Sequence, residues 1–212
     1  MKKGKLILTL LVVFIAMFVF VGCTENSALM NSLIRTSDNF KVVSNSYVSN
    51  ENESVNDVQL LTLSDTEYYV IELSDDGPND LVTFNELRLD LLAIHQEILI
   101  EIETIEALVE SIRTNAQTIR DSEYILLEGD KIIVLDNIET IKGYRDGLLE
   151  TKGLAYQRIM DLKGSYTREN LPEILVVFEE VYEVLEYRLN TLRLGVIEFE
   201  NINQILLDYM ES

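Results

Sequence analysis

Residues 84–119 read FNELRLDLLAIHQEILIEIETIEALVESIRTNAQTI. Apolar side chains fall at Phe84, Leu87, Leu91, Ile94, Ile98, Ile102, Ile105, Val109, Ile112, Ala116 and Ile119, in steps of three and four with one added step of four. Such steps stack side chains on one face of an α-helix and make a heptad stripe, and the added four locally unwinds a coiled coil. No Gly or Pro interrupts the run. Thr83 with Glu86 reads as a capping box, and Asn79-Asp80 after Pro78 is a competing start. The stripe predicts a long amphipathic helix that needs partners.

Two further stretches supply them. The stripe Leu171, Leu175, Phe178, Tyr182, Leu185, Leu189, Leu192, Val196, Phe199, Ile202, Leu206 and Tyr209 follows Asn170-Leu171-Pro172, where proline suits a first helical turn. Between the two, Val134, Ile138, Ile141, Leu148, Ala155, Ile159, Leu162 and Tyr166 keep the register, although Arg145 and Lys152 fall on the same line. Glycines at 143, 147 and 153 each weaken this middle helix by about 1 kcal/mol relative to Ala. The Gly143-x-x-x-Gly147 spacing suits either close approach of a neighbour or a looser helix. With turns near Gly129-Asp130 and Gly164-Ser165, residues 79–212 are expected to form an elongated, antiparallel, coiled-coil-like three-helix bundle. Leu92, Ile100, Leu127, Val177 and Val184 lie off the stripes and either complete a three-sided core or mediate a homo-oligomer.

The segment Tyr124-Ile-Leu-Leu127, Glu-Gly-Asp-Lys, Ile132-Ile-Val-Leu135 has two readings. Leu126 and Val134 fit the flanking stripes and favour helix–turn–helix, whereas the two apolar arms also suit a tight β-hairpin. Residues 58–78 contain a second hairpin pattern, Val58–Leu63 and Tyr68–Leu73 around a polar turn, closed by Asp75-Asp76-Gly77-Pro78. A lone hairpin is marginal in water, so it would lean on the bundle or on a partner. Residues 23–57 are rich in Asn, Ser and acidic side chains and read as a flexible tether.

The N-terminus carries an address. Lys2, Lys3 and Lys5 precede the apolar run Leu6–Val21, which has the length of a signal-peptide core and is short for a stable membrane span. The run ends in Phe20-Val21-Gly22-Cys23. This resembles the lipobox of bacterial lipoproteins, with Phe20 where an aliphatic residue is usual. The resemblance covers about a tenth of the chain. It implies cleavage between Gly22 and Cys23, diacylglycerol and a further acyl chain such as palmitate on Cys23, and an anchor in the cell membrane. An uncleaved signal anchor is the other reading of the same residues. Both put the rest of the chain outside the cytoplasm.

Composition narrows the function. The formal net charge is −20, and losing Lys2, Lys3 and Lys5 with the signal takes it to −23. An acidic body repels phosphate backbones, so no nucleic-acid partner is expected, whereas a basic envelope protein or peptide would be attracted. A single Cys and a single His cannot build a zinc site, and no metal or cofactor is expected. The residue three before His95 is Leu92, so the Glu-x-x-His pattern of carboxylate-bridged metal bundles fails. No nucleophile elbow, Walker loop or dinucleotide fingerprint occurs, and no catalytic residue is assigned. Glu97, Glu101, Glu103 and Glu106, and Glu179, Glu180, Glu183 and Glu186, read as solvated faces, or as a surface for a cationic partner or loosely held Ca²⁺. Tyrosines at 144, 156, 166, 182, 187 and 209 read as the boundary of a narrow core, or as a peptide or carbohydrate surface. The expectation is a binding or scaffold component of the cell envelope. Its alternatives are an extracytoplasmic sensor or accessory subunit of a membrane complex, and an enzyme built on a polar cluster within the bundle.

Overall fold

The computed structural model describes residues 26–47, 78–122, 124–162 and 170–211, with the backbone alone over 78–82. Gly22, Cys23 and the strand pattern at 58–73 lie outside the described residues. The described residues are mainly helical: α1 over 26–45, α2 over Pro78–Asp121, α3 over Glu128–Glu150, α4 over Leu154–Asp161 and α5 over Leu171–Glu211. At 1.5 Å per residue, α2 and α5 are rods of about 60–66 Å.

Side-chain pairs fix their directions. Phe84 stacks on Phe178, Arg193 reaches Glu97, and Asn115 meets Asn203, so α2 and α5 run parallel. Tyr209 bonds Asp130, Arg188 bonds Leu148, and Arg158 pairs with Glu180, so α3 and α4 return antiparallel to α5. The rods of the bundle therefore alternate in direction, α2 and α5 one way and α3 with α4 the other.

A further helix belongs to the bundle. The expected tether begins as α1, whose Met30, Leu33 and Phe40 are fully buried. It lies antiparallel to α2, with Asn31 at Arg120, Asp38 at Arg113, and Lys41 and Asn45 at Glu106. Residues 26–45 are therefore part of the core and not a flexible spacer. The pattern Met30, Leu33, Ser37, Phe40, Ser44, Tyr47 is itself a heptad line, with serines at two core positions. Ser37 Oγ donates to the Leu33 carbonyl and Ser44 Oγ to the Phe40 carbonyl, so each buried hydroxyl is satisfied one turn back within its own helix.

The α2 stripe is buried at every position but Leu87, which is half-buried. Helix α5 buries eight of its twelve predicted stripe residues and half-buries Leu175, Tyr182, Val196 and Tyr209, while Ile174, Val181, Thr191 and Gly195 off the stripe are buried as well. Its buried arc is wide because α2, α3 and α4 all pack against it. Leu92, Val177 and Val184 pack half-buried on the core, while Ile100 and Leu127 face outward.

The middle stripe is broken. Helix α3 stops at Glu150, Thr151 caps it by donating its N–H to the Gly147 carbonyl, and Gly153 takes φ 75° before α4 begins. A left-handed residue suits glycine and costs other L-residues about 1–2 kcal/mol. The break places Lys152 in solvent, which removes the conflict of a lysine on a core line. The first turn also differs from the expectation at Gly129-Asp130. Helix α2 ends at Asp121, where Ser122 Oγ donates to the Ile119 carbonyl, and residues 124–127 are coil that leads into α3, with Leu127 extended. Residues 128–135 are helical, so the hairpin reading of 124–135 falls; Leu126 enters the core from the coil and Val134 from the second turn of α3. At its start α2 begins with Pro78, ahead of the Thr83 capping box.

Candidate functional site

The most concentrated buried polar chemistry lies where α1 ends, α3 breaks, and α2 and α5 pass by. Tyr47 closes α1, with its N–H bonded to the Ser44 carbonyl. Its hydroxyl shares a 2.7 Å hydrogen bond with His95 Nδ1, and the two rings lie 5.5 Å apart. His95 is 9% exposed, and burial pushes its pKa down to about 4, so the imidazole is neutral at neutral pH.

Arg188 of α5 lies over the other component of this cluster. Its guanidinium carbon is 5.4 Å from the Tyr47 ring centroid, a cation–π contact. One guanidinium nitrogen donates to the Leu148 carbonyl at 2.9 Å and to Thr151 Oγ1 at 3.0 Å. These acceptors belong to the last turn and cap of α3. Carbonyls there lack intrahelical partners and carry the negative end of the helix dipole. A buried cation is tolerable at that point for this reason. One side chain thereby ties α5 to the end of α3 and to Tyr47. A shallow notch of about 310 Å³, counted out to its open mouth, lies beside it, lined by Ser46, Tyr47, Thr151, Lys152, Gly153 and Tyr156 among others.

A second polar cluster lies along the α2–α5 seam. Asn115 Nδ2 donates to Asn203 Oδ1 at 3.0 Å, and Ser111 Oγ donates to the same oxygen at 3.0 Å. Asn115 is buried. Such a ladder is satisfied in one register of the two rods and broken by a slip of one turn.

The sequence-predicted candidates are dispersed. Glu97 and Glu101 are both held by Arg193 across the seam, at 2.6 and 3.3 Å. Glu106 serves Lys41 and Asn45, and Glu180 serves Arg158. Glu103, Glu179, Glu183 and Glu186 are exposed. Among the described residues no group of three His, Cys, Asp or Glu side chains is placed to hold a metal ion. Tyr166 lies outside the described residues, and the described tyrosines serve different contacts. Tyr187 packs across Gly147, Tyr156 lines the notch, and Tyr209 accepts the Leu127 N–H at 2.7 Å while donating to Asp130 at 2.5 Å. Gly147 therefore does admit a close neighbour, whereas Gly143 has open space around it.

The sequence pattern set His95 apart only as failing the Glu-x-x-His spacing, and it singled out neither Tyr47 nor Arg188. The available signals were faint: Arg188 adjoins the stripe residue Leu189, and Tyr47 completes the heptad line of α1. No family model, curated protein or solved structure matches the chain.

Proposed function

We propose that this protein is a lipid-anchored, extracytoplasmic component of the bacterial cell envelope that binds or scaffolds another protein along its helical sides. The observation that carries the proposal is the ordered sequence Lys2-Lys3-Gly4-Lys5, Leu6–Val21, Gly22-Cys23. A diacylglycerol pair anchors stably where one acyl chain does not. The described bundle supports a binding role through its long lateral faces, whose outward carboxylates such as Glu103, Glu179, Glu183 and Glu186 present negative charge. A basic protein or peptide fits that surface, and steering by charge would speed its arrival. The polar groups at the end of α1 are engaged in tying helices together, which favours scaffold over catalysis.

The helix break at Thr151–Gly153 favours a second reading, a sensor or accessory subunit in which the rod bends beside Arg188 and Tyr47. Partner-dependent hydrogen-exchange protection at 145–156 would distinguish it from a passive scaffold.

The test is mass spectrometry of the membrane-bound protein and of a Cys23→Ala variant, with the co-purified proteins identified from both. A lipid-modified Cys23 as N-terminus, lost in the variant, is the expected result. Residues 1–22 still attached to an unmodified Cys23 would replace the lipoprotein by a signal-anchored protein.

A further inference from the structure

One end of the bundle is apolar on its outside. Tyr124, Ile125, Leu127, Ile132, Ile133 and Leu135 are between 39% and 70% exposed. They are six of the fifteen large apolar residues exposed among the described residues, gathered into twelve consecutive positions. The other nine are spread along the rods. A helix that is apolar on all sides is normally surrounded by protein or lipid. In α3 the first two turns carry Ile132, Ile133, Val134 and Leu135 in sequence, of which only Val134 faces the core.

Some of the charges of this end are engaged within the molecule, while Glu128 and Asp136 stay exposed. Lys131 pairs with Glu128 at 3.4 Å, and Asp130 accepts the Tyr209 hydroxyl. The start of α1 is tied to the same end, because Asn26 Nδ2 donates to the Tyr124 carbonyl at 3.0 Å. Cys23 precedes Asn26 by three residues, which span at most about 11 Å however extended. Any membrane anchor at Cys23 therefore holds this end, and not the Phe84–Phe178 end, against the bilayer. The stretch Leu127–Leu135 rises about 12 Å along the helix, short against a hydrocarbon core of about 30 Å, so it reaches the interface without spanning the bilayer.

We infer that the bundle end formed by residues 124–135 inserts its apolar side chains into the membrane interface, so that the protein stands on the bilayer and not at the end of a tether. This rests on the anchoring of Cys23 proposed above. A second copy could also cover an apolar end, but the anchor supplies lipid to it at any protein concentration.

Cys23 is the only cysteine, so in the lipidated chain an introduced cysteine is the sole thiol available for a spin label. Ile133→Cys and Leu135→Cys would be labelled in the full chain in its native membrane. Leu89→Cys, 62% exposed and about 48 Å along α2 from its C-terminal end, is the control. The collision ratio of lipid-soluble oxygen to a water-soluble nickel chelate should be at least about threefold higher at 133 and 135 than at 89. Equal ratios would overturn the inference. Low collision with both reagents together with dipolar broadening would mean that a second copy covers the end, and would overturn it too. The N-terminal mass from the same membranes separates the two levels: lipid on Cys23 with aqueous labels leaves the anchor reading standing. An unlipidated, soluble chain removes both.

Discussion

The ring of Phe40 occupies the space that a side chain on Gly195 would need: a methyl group built there would lie 2.7 Å from the ring Cζ and 3.1 Å from Cε1. Phe40 also meets Phe199 edge to face, with centroids 5.3 Å apart. Phe40 thus seats the middle of α1 on α5, entering a notch left by a missing side chain.

Gly195→Ala would raise helix propensity by about 1 kcal/mol at an ordinary interior site. Here the overpacking against Phe40 should win and destabilise the fold by about 1–3 kcal/mol in urea unfolding. Phe40→Ala alone should cost about 3–5 kcal/mol, and in its background the Gly195 substitution should turn neutral or stabilising. An unchanged Gly195→Ala penalty in that background would show that the Phe40 ring is not its cause.

His95 provides a pH prediction with a definite sign. Its folded pKa of about 4 lies below the unfolded value of 6.5, so the unfolded chain binds the extra proton between them. The stabilisation from keeping the imidazole neutral is complete above pH 6.5 and is lost as pH falls toward 4, by at most about 3 kcal/mol. The carboxylates also titrate in this window, so the relevant quantity is the difference between wild type and His95→Asn, which should flatten the slope. As the only histidine, its NMR titration can be read without assignment, and a midpoint near 6.5 would remove the argument.

Removing Arg188 should loosen the end of α3. Arg188→Met leaves the Leu148 carbonyl and Thr151 without this donor and should cost about 2–4 kcal/mol. The loss should be accompanied by faster amide exchange across 145–156. Arg188→Lys should recover little, because an ammonium cannot reproduce the planar donor and ring contact. Full recovery by lysine would reduce the site to a simple charge effect.

Asn115→Leu strips one partner from the buried ladder and should destabilise by about 1–3 kcal/mol, leaving Asn203 Oδ1 with Ser111 as its remaining donor. Replacing Asn115 and Asn203 together by leucine should restore most of that stability while widening the range of α2–α5 registers. A double-mutant cycle is the measurement, and a coupling energy below about 0.5 kcal/mol would deny the ladder a role.

Much of this architecture was legible in the chain. The α2 and α5 stripes are local: they repeat every three to four residues without interruption, and burial follows the α2 stripe almost position by position and the α5 stripe at eight of twelve. Periodicity records which face of a helix is apolar, and that is decided by neighbours in sequence. The candidate site was not legible, since His95, Tyr47 and Arg188 come from three helices and no spacing rule relates them.

By itself, then, the sequence determined a mainly helical bundle whose α2 and α5 carry continuous apolar faces, together with the net negative charge and the signal-like start. Tertiary structure alone decided that residues 26–45 join the core. Ser37 and Ser44 break the apolar pattern of α1, and their burial is tolerable only because each hydroxyl finds a carbonyl one turn back. It also decided where the middle rod breaks and which aromatic fills the gap at Gly195. Those outcomes depend on volume and hydrogen bonding between segments distant in sequence, which amphipathic periodicity does not record.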